Sequence, residues 1–262
     1  MLSHSSDPIV DLPSWFDSDP GRYVHQWEQA RVDALLADVF GYRAVQYGLS
    51  PFNYLSANRM TFKAYAGSAR LSEAQSACWS ASTVCLPEQL PFDTDSLDLL
   101  VLPHTLETAE DQHMVLREAQ RVLMPEGRLV IAGFNPWSLW GARMRLPWLK
   151  PWLPPGCQND LSPAKLKDWL RLLSFEIDRG HFGCYAPPFR RQQWIDRCQF
   201  MESAGDRWWP IFGATYMVSA VKRVAGMRLI TPVWKRKSQR RSARQAAGVA
   251  TQTPVSQQKN HE

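Results

Sequence analysis

A histidine and a glutamate, His104 and Glu107, follow directly on the apolar run Leu97–Leu102. Such a run is typical of a strand that is covered on both faces of a sheet. Because ligands of these sheets bind at the carboxyl ends of the strands, His104 is predicted to border a pocket, where it would contact a cofactor or act as a general base. The alternative is that His104 caps the strand end through hydrogen bonds to the backbone. Glu107 is expected to begin a helix, whose positive end favours a carboxylate.

The residues after Glu107 predict a helix and then a second covered strand. Apolar side chains recur at helical spacing from Met114 to Leu123, and Pro125 and Gly127 are expected to end that helix. Leu129–Phe134 is again apolar and of strand length. Strand, helix and strand in this order predict a right-handed parallel crossover.

Three short motifs in this segment have a fixed order and spacing. They are Leu90–Phe92 (LPF), His104–Glu107 (HTLE) and Arg121–Gly127 (RVLMPEG). In this arrangement the segment closely resembles the second half of the class I S-adenosylmethionine-dependent methyltransferase domain, and a looser resemblance runs from Val39 to Val224. The resemblance implies an α/β fold: a doubly wound, mostly parallel seven-stranded sheet of the Rossmann-like methyltransferase type. It also implies S-adenosylmethionine as the cofactor.

The resemblance also indicates where that cofactor would lie. The family holds it on a glycine-rich turn after the first strand, with an acidic residue after the second strand and polar groups after the third. Here only one glycine of the turn is present, an amide stands where the acidic residue before it is usual, and a leucine replaces the usual aspartate after the third strand. The residues implied as cofactor contacts are Gln46, Gly48, Ser68, Leu86, Glu88 and His104.

Two interpretations of this altered site are open. Either the pocket is retained and built from different side chains, and the protein transfers a methyl group to an acceptor expected to be a small molecule, or the site has decayed and the fold serves as a binding or scaffold module. Methyl transfer is a direct displacement that depends on alignment and needs no nucleophilic side chain. No catalytic residue is therefore predicted, and His113, His181 and Cys184 show no metal-ligand spacing.

The rest of the chain predicts further elements and three regions. The regions are an N-terminal arm (1–20), a methyltransferase-like domain (21–234) and a disordered basic tail (235–262). A Trp/Pro-rich insertion, Asn135–Gly156, would be either a lid over a hydrophobic acceptor or an anchor to the core, with peripheral membrane contact as a weaker option. The further elements are helices at Gly21–Phe40, Phe52–Met60, from Pro163 and at Gln192–Glu202, and strands at Tyr42–Leu49, Thr61–Ala66, Ser80–Leu86, Phe175–Arg179 and Tyr216–Val221.

Charge and cysteine content exclude some classes of protein. The tail holds seven basic residues and one acidic residue, so 23 basic and 24 acidic residues remain in 1–234, and a nucleic-acid partner is not expected for the body. No apolar run reaches the length of a membrane-spanning helix, and the N-terminus does not have the pattern of a secretory signal. The five scattered cysteines predict free thiols in a reducing cytoplasm.

Overall fold

The computed structural model describes residues 12–144, 161–187 and 200–223. The strands are β1 (Arg43–Tyr47), β2 (Phe62–Gly67), β3 (Ala81–Val84), β4 (Leu97–Pro103), β5 (Leu123–Phe134), β6 (Phe175–Gly183) and β7 (Thr215–Lys222). The helices are α1 (Leu12–Phe16), α2 (Asp19–Leu36), α3 (Glu73–Ser76), α4 (Thr105–Thr108), α5 (Gln112–Val122), α6 (Leu139–Met144), α7 (Pro163–Leu172) and α8 (Phe200–Trp208), with a short 3-10 helix at Pro210–Phe212.

The seven strands form one sheet in the order β3-β2-β1-β4-β5-β7-β6. Neighbouring strands are parallel except where β7 pairs with β5 and β6, to both of which it is antiparallel. The predicted α/β fold with a doubly wound, mostly parallel sheet is therefore confirmed. The carboxyl ends of β1, β2, β4, β5 and β6 consequently lie at one edge of the sheet.

The central strands are apolar because each lies between two layers of the core. Six of the seven residues of β4 are buried. Leu100 and Leu102 belong to the core on the side of α5 and α7, whereas Leu99 and Val101 belong to the core beneath α1 and α2. Successive side chains of a strand point to opposite faces of the sheet, so Leu99 and Leu100 lie in opposite layers of the core.

Two predictions from the sequence are wrong, namely the end of helix α5 and the helix at Phe52–Met60. Helix α5 ends at Val122, before Pro125 and Gly127, because Leu123 already pairs with Leu97 of β4 and a register shift accommodates the next residues, among them Glu126 with φ of 65°. No helix forms at Phe52–Met60. There the Asn58 amide donates hydrogen bonds to the carbonyls of Leu36, the last residue of α2, and of Val39, and it accepts one from the Met60 N–H, which holds the segment in turns.

Other predicted boundaries move by a few residues. Ser18 caps α2, so this helix begins inside the predicted arm, and the shorter helix α1 there places Phe16 in the core. Strand β6 continues past Arg179 to Gly183 because β7 pairs with it along this length. Most of the Trp/Pro-rich insertion, the start of the helix predicted at Gln192–Glu202, and the tail lie outside the described residues. No helix among the described residues has the length and apolar character needed to cross a bilayer.

Helix α2 is held on the sheet by a buried cluster of charges, defined here as Glu28, His104 and Glu107. The His104 imidazole lies between two carboxylates, with Nε2 2.9 Å from Glu28 Oε1 and Nδ1 2.8 Å from Glu107 Oε2. The Tyr54 hydroxyl donates to Glu28 Oε2 at 2.9 Å, the Thr215 hydroxyl donates to Glu28 Oε1 at 3.0 Å, and the Phe134 N–H donates to Glu107 Oε1. The cluster therefore joins α2, α4, β7, the last residue of β5 and the segments that follow β1 and β4.

Mutual attraction outweighs burial in this cluster. Burial alone would lower the pKa of His104, but the charges and hydrogen bonds of Glu28 and Glu107 raise it to about 10. Burial would raise the pKa of Glu28, yet the His104 imidazole and the hydrogen bonds of His104, Tyr54 and Thr215 lower it. His104 is consequently a buried imidazolium at neutral pH.

This pKa shift predicts how stability depends on pH. Because the pKa of His104 is raised in the folded state, its contribution is fully present below its ordinary pKa of 6.5 and is lost as the pH rises towards about 10. We expect the free energy of unfolding to fall over this interval with a slope of up to about 1.4 kcal/mol per pH unit, which is one proton. Urea unfolding at a series of pH values measures the slope.

A matched variant identifies the source of that slope. In Glu107→Gln one of the two carboxylates that raise the pKa of His104 in the folded state is gone, so the decline should still begin near 6.5 but end at a lower pH. Titration of the His104 ring by NMR provides an independent reading. An imidazole that titrates near 6.5 in the folded protein would show that the two carboxylates do not hold the proton.

Candidate functional site

A cavity of about 530 Å³ opens where β1, β2 and β4 end. This volume lies within the range of about 300–1,000 Å³ that is usual for small-molecule sites. Residues Leu12 and Pro13 of α1 form part of its wall, as do Tyr47 and Thr105. Five of the six residues implied by the family resemblance line this one cavity: Gly48, Ser68, Leu86, Glu88 and His104.

Gly48 forms an open part of the cavity wall. Its φ is +75° and that of the next residue, Leu49, is 49°, so two successive left-handed residues turn the chain sharply after β1. Of the atoms in the described ranges, a Cβ placed on Gly48 would have only the Thr105 hydroxyl oxygen within 4 Å, at 3.9 Å. Glycine thus leaves a space in which a ligand can approach the backbone, a feature that fits a nucleoside cofactor.

Gln46, the sixth residue, lies beneath this turn and does not line the cavity. Its side chain is fully buried. The amide Nε2 donates to the carbonyls of Gly48, at 3.1 Å, and Phe52, at 2.8 Å, while Oε1 accepts the N–H of Tyr54 at 2.9 Å. The structure therefore places Gln46 as a support of the turn around Gly48.

The outer wall of the cavity is formed by residues that follow β2 and β3. Ser68 is exposed directly after β2, and Leu86 presents an apolar side chain that is 58% exposed. Glu88 is half-buried, and its Oε1 accepts the N–H groups of Glu110, at 3.1 Å, and Asp111, at 3.4 Å. Among the described residues Oε2 has no hydrogen-bond partner, so this oxygen can accept from a ligand hydroxyl.

Two buried tyrosines brace the wall without adding charge. The Tyr47 hydroxyl donates to the Cys85 carbonyl at 3.0 Å, and burial is the main reason that its pKa is raised. Burial likewise raises the pKa of Tyr65, whose hydroxyl interacts with the Ser50 side chain. Both phenols therefore remain neutral, and they connect β1 and β2 to the loops that enclose the cavity.

His104 borders the cavity with a side chain that already has partners within the protein. Its φ is 52°, its N–H donates to the Ala132 carbonyl at 2.8 Å, and its ring packs 4.2 Å from the Phe134 ring, centroid to centroid. Both ring nitrogens contact carboxylates of the charge cluster. The geometry thus favours a supporting role over general-base catalysis. The two carboxylates approach opposite nitrogens, and no three His, Cys, Asp or Glu side chains of the described residues are arranged so that they could hold a metal ion.

Sequence reasoning did not identify Glu28, Tyr54 or Thr215, because their roles depend on contacts between distant segments. One signal was available for Glu28. It lies four residues after Val24 and four before Val32, in the same buried row of α2. A carboxylate in an otherwise apolar row indicates a buried partner.

A second cavity, of about 640 Å³, lies at the same edge of the sheet, beyond β5 and β6. Its lining is largely apolar and includes Trp137, Leu139, Tyr185, Trp209 and Phe212. The two tryptophans in the described part of the predicted insertion have different roles. Trp137 is 59% exposed at this cavity, whereas Trp140 is buried and its indole N–H donates to the Ala186 carbonyl at 3.0 Å.

A family model and a protein of known sequence match parts of this chain. A family model described as "Methyltransferase domain" matches residues 60–131. An uncharacterized protein of Escherichia coli K12, YafS, is 36% identical over 166 residues, which are 63% of this chain and 64% of YafS. The chain therefore aligns with less than two thirds of that relative.

Solved structures share the fold at low sequence identity. An S-adenosylmethionine-dependent methyltransferase of Thermotoga maritima, described as a possible histamine N-methyltransferase, matches with a TM-score of 0.58 and 18% identity over 80% of this chain and 93% of that one. An S-adenosylmethionine-dependent methyltransferase of Mesorhizobium loti matches with a TM-score of 0.52 and 16% identity over 73% and 96%.

The strand order, with β7 antiparallel to both of its neighbours, is the fold of these methyltransferases, and residues 60–131, which contain the motifs around His104, match the methyltransferase-domain model.

Proposed function

We propose that the protein binds S-adenosylmethionine in the cavity beside Gly48 and transfers its methyl group to a small molecule. The observation that supports this most directly is the open space next to Gly48, which no side chain or loop of the described residues fills. A decayed site in a scaffold protein would be expected to close around such a space, since packed interiors leave few voids. The catalytic interpretation is therefore favoured over the scaffold.

The described residues suggest how the ligand would be held. The backbone at Gly48 would admit the methionine portion, and the Leu86 side chain would cover an apolar face. The Ser68 hydroxyl would donate or accept a hydrogen bond to the ribose or adenine, and Glu88 Oε2 would accept one. When bound, S-adenosylmethionine would supply a methyl group on a positively charged sulfur: the acceptor atom would bond to the methyl carbon as the carbon–sulfur bond breaks, with S-adenosylhomocysteine as the leaving group. The contribution of the protein is then to align the acceptor and exclude water.

Substitution of Gly48 tests the cavity. Isothermal titration of the wild type with S-adenosylmethionine should give micromolar affinity, and Gly48→Arg should abolish it because the side chain would occupy the space beside the backbone. Gly180→Arg is a matched control, since the space around Gly180 is open and its position on β6 is exposed. We expect the control to bind as the wild type does.

A second variant separates loss of binding from loss of folding. Because Gly48 has a left-handed conformation, an arginine there also strains the backbone. Ser68→Trp adds bulk to an exposed position at the cavity without this strain and should weaken binding with an unchanged melting temperature. The absence of heat with the wild type at millimolar ligand would overturn the proposal.

Glu88 is expected to provide the carboxylate that the end of β2 lacks. In Glu88→Gln the amide oxygen can still accept the N–H groups of Glu110 and Asp111, but the charge-assisted bond to a ligand hydroxyl is lost, so affinity should fall by about tenfold. Glu73→Gln, at an exposed carboxylate on α3, should leave affinity unchanged. The reverse result would assign the ribose contact to α3.

The apolar cavity beyond β5 and β6 supports an acceptor with an apolar body. With labelled S-adenosylmethionine, acceptors that carry an aromatic or alkyl body should be methylated in preference to equally nucleophilic polar ones. Ala142→Trp fills part of this cavity and should raise the KM for such acceptors about tenfold, with the affinity for S-adenosylmethionine unchanged. Ala74→Trp, on exposed α3, is the control. Equal rates for polar and apolar acceptors would contradict the assignment.

A further inference from the structure

A patch of exposed apolar side chains lies at the opening of the second cavity. Six of the thirteen large apolar side chains that are exposed in the described ranges belong to it, and each is between 55% and 71% exposed. We define the apolar patch by these residues: Trp137, Leu139, Trp208, Trp209, Ile211 and Phe212. Four of the six also line the cavity. The patch therefore forms the rim of an apolar cavity, unlike single apolar residues scattered over a surface, which need no explanation.

Two segments that are distant in the sequence bring these side chains to one edge of the sheet. Trp137 and Leu139 follow β5, and the other four residues lie at the end of α8 and in the 3-10 helix that precedes β7. Because β7 is antiparallel to β5, its first residue, Thr215, pairs with the last residue of β5, Phe134. Both segments consequently lie at the carboxyl edge of the parallel strands.

Hydrogen bonds to the backbone hold the two segments together. The Asn135 amide donates to the carbonyls of Ile211, at 2.6 Å, and Gly213, at 3.0 Å, and its Oδ1 accepts the N–H of Trp137 at 3.1 Å. One buried side chain thus fixes both halves of the apolar patch. The exposed rings are therefore presented to the outside from a backbone that is held in place.

The charged residues beside the apolar patch favour an anionic partner. Arg207, at the end of α8, is exposed, and the half-buried Arg143 lies on α6. The Glu202 carboxylate is turned inwards, where it accepts the backbone N–H groups of Cys184, at 3.3 Å, and Tyr185, at 2.9 Å. Basic side chains beside exposed tryptophans complement a lipid surface, because anionic head groups attract the cations and indole rings are favoured at the head-group level.

We propose that the apolar patch docks on an anionic lipid bilayer, with the opening of the apolar cavity turned towards the acyl chains. The composition of the patch favours a bilayer over a protein partner: three of its six residues are tryptophans, whose apolar rings and polar N–H groups suit a membrane interface, and arginines lie beside them. Docking does not depend on the proposed function. Where that function holds, an acceptor with an apolar body enters the cavity directly from the bilayer.

The test is binding of the full chain to lipid vesicles, measured by co-sedimentation. We expect the wild type to bind vesicles of phosphatidylcholine mixed with phosphatidylglycerol, and to bind vesicles of phosphatidylcholine alone more weakly. The double variant Trp208→Ser/Ile211→Ser removes two exposed apolar side chains that are not part of the cavity lining. Its affinity for the vesicles should fall by about tenfold or more, in proportion to the apolar area removed. Its melting temperature should stay that of the wild type.

Phe40→Ser/Leu172→Ser is the matched control. It also removes one aromatic and one aliphatic side chain, which are 75% and 82% exposed. Phe40 precedes β1 and Leu172 precedes β6, so both lie at the opposite edge of the sheet. We expect this control to bind vesicles as the wild type does. Arg207→Gln should weaken binding to the anionic vesicles by about fivefold and leave binding to phosphatidylcholine unchanged.

Three results would overturn the proposal. The first is a wild type that binds neither kind of vesicle. The second is equal binding by the wild type and Trp208→Ser/Ile211→Ser, which would assign vesicle binding to another part of the chain, such as the basic residues of 235–262. The third is dimerisation of the wild type without lipid that this variant loses in sedimentation velocity, which would assign the apolar patch to a second copy of the chain.

A second measurement decides if the double variant does not fold, as its melting curve would show. Lipids brominated in the acyl chains should quench the tryptophan fluorescence of the wild type when the apolar patch enters the bilayer, and the absence of quenching overturns the proposal. All vesicle measurements are made without S-adenosylmethionine. Failure of docking and failure of the proposed function are therefore observed in separate experiments.

Discussion

The contact between one imidazolium and two carboxylates organises the part of the molecule that surrounds the cavity. Glu28 comes from α2, His104 from the end of β4 and Glu107 from α4, so no two of the three partners lie on the same regular element. Removal of one partner would leave an uncompensated buried charge, which is far more costly than loss of a surface ion pair. The positions of α2, α4 and the strand ends are therefore interdependent, because movement of α2 away from the sheet would separate the Glu28 carboxylate from the buried His104 imidazolium.

The same contact fixes the chain on both sides of the cavity. Tyr54 joins Glu28 to the segment after β1 through its hydroxyl, and its backbone N–H donates to Gln46. Gln46 in turn holds the turn at Gly48. A chain of hydrogen bonds consequently runs from the charge cluster to the glycine at the cavity wall, and the shape of the cavity depends on a network that contains no ligand contact of its own.

Some of this arrangement is readable from the sequence. The β4–α5–β5 unit was predictable because its apolar periodicity and its motifs agree, and the altered glycine turn was located by alignment on the LPF motif at Leu90–Phe92. Phe52–Met60 was misassigned because local propensity does not reveal that Asn58 bonds to the end of α2. The end of α5 was misplaced because Leu123 pairs with β4 before the residues that normally stop a helix are reached. In each case a contact between distant segments overrode the local signal.

The altered cofactor motif has a physical meaning that the sequence alone did not give. Compared with the family pattern, the end of β1 lacks a carboxylate and the end of β2 lacks another. Each of these losses by itself would suggest a site with weakened affinity for the cofactor. A carboxylate at the cavity surface serves two purposes, since it accepts hydrogen bonds and it supplies negative charge. In this chain the two purposes are not carried by the strand ends: Glu88, on the loop after β3, has an oxygen that faces the cavity wall, and Gln46 supports the turn at Gly48. The degenerate motif is then compatible with a working cavity.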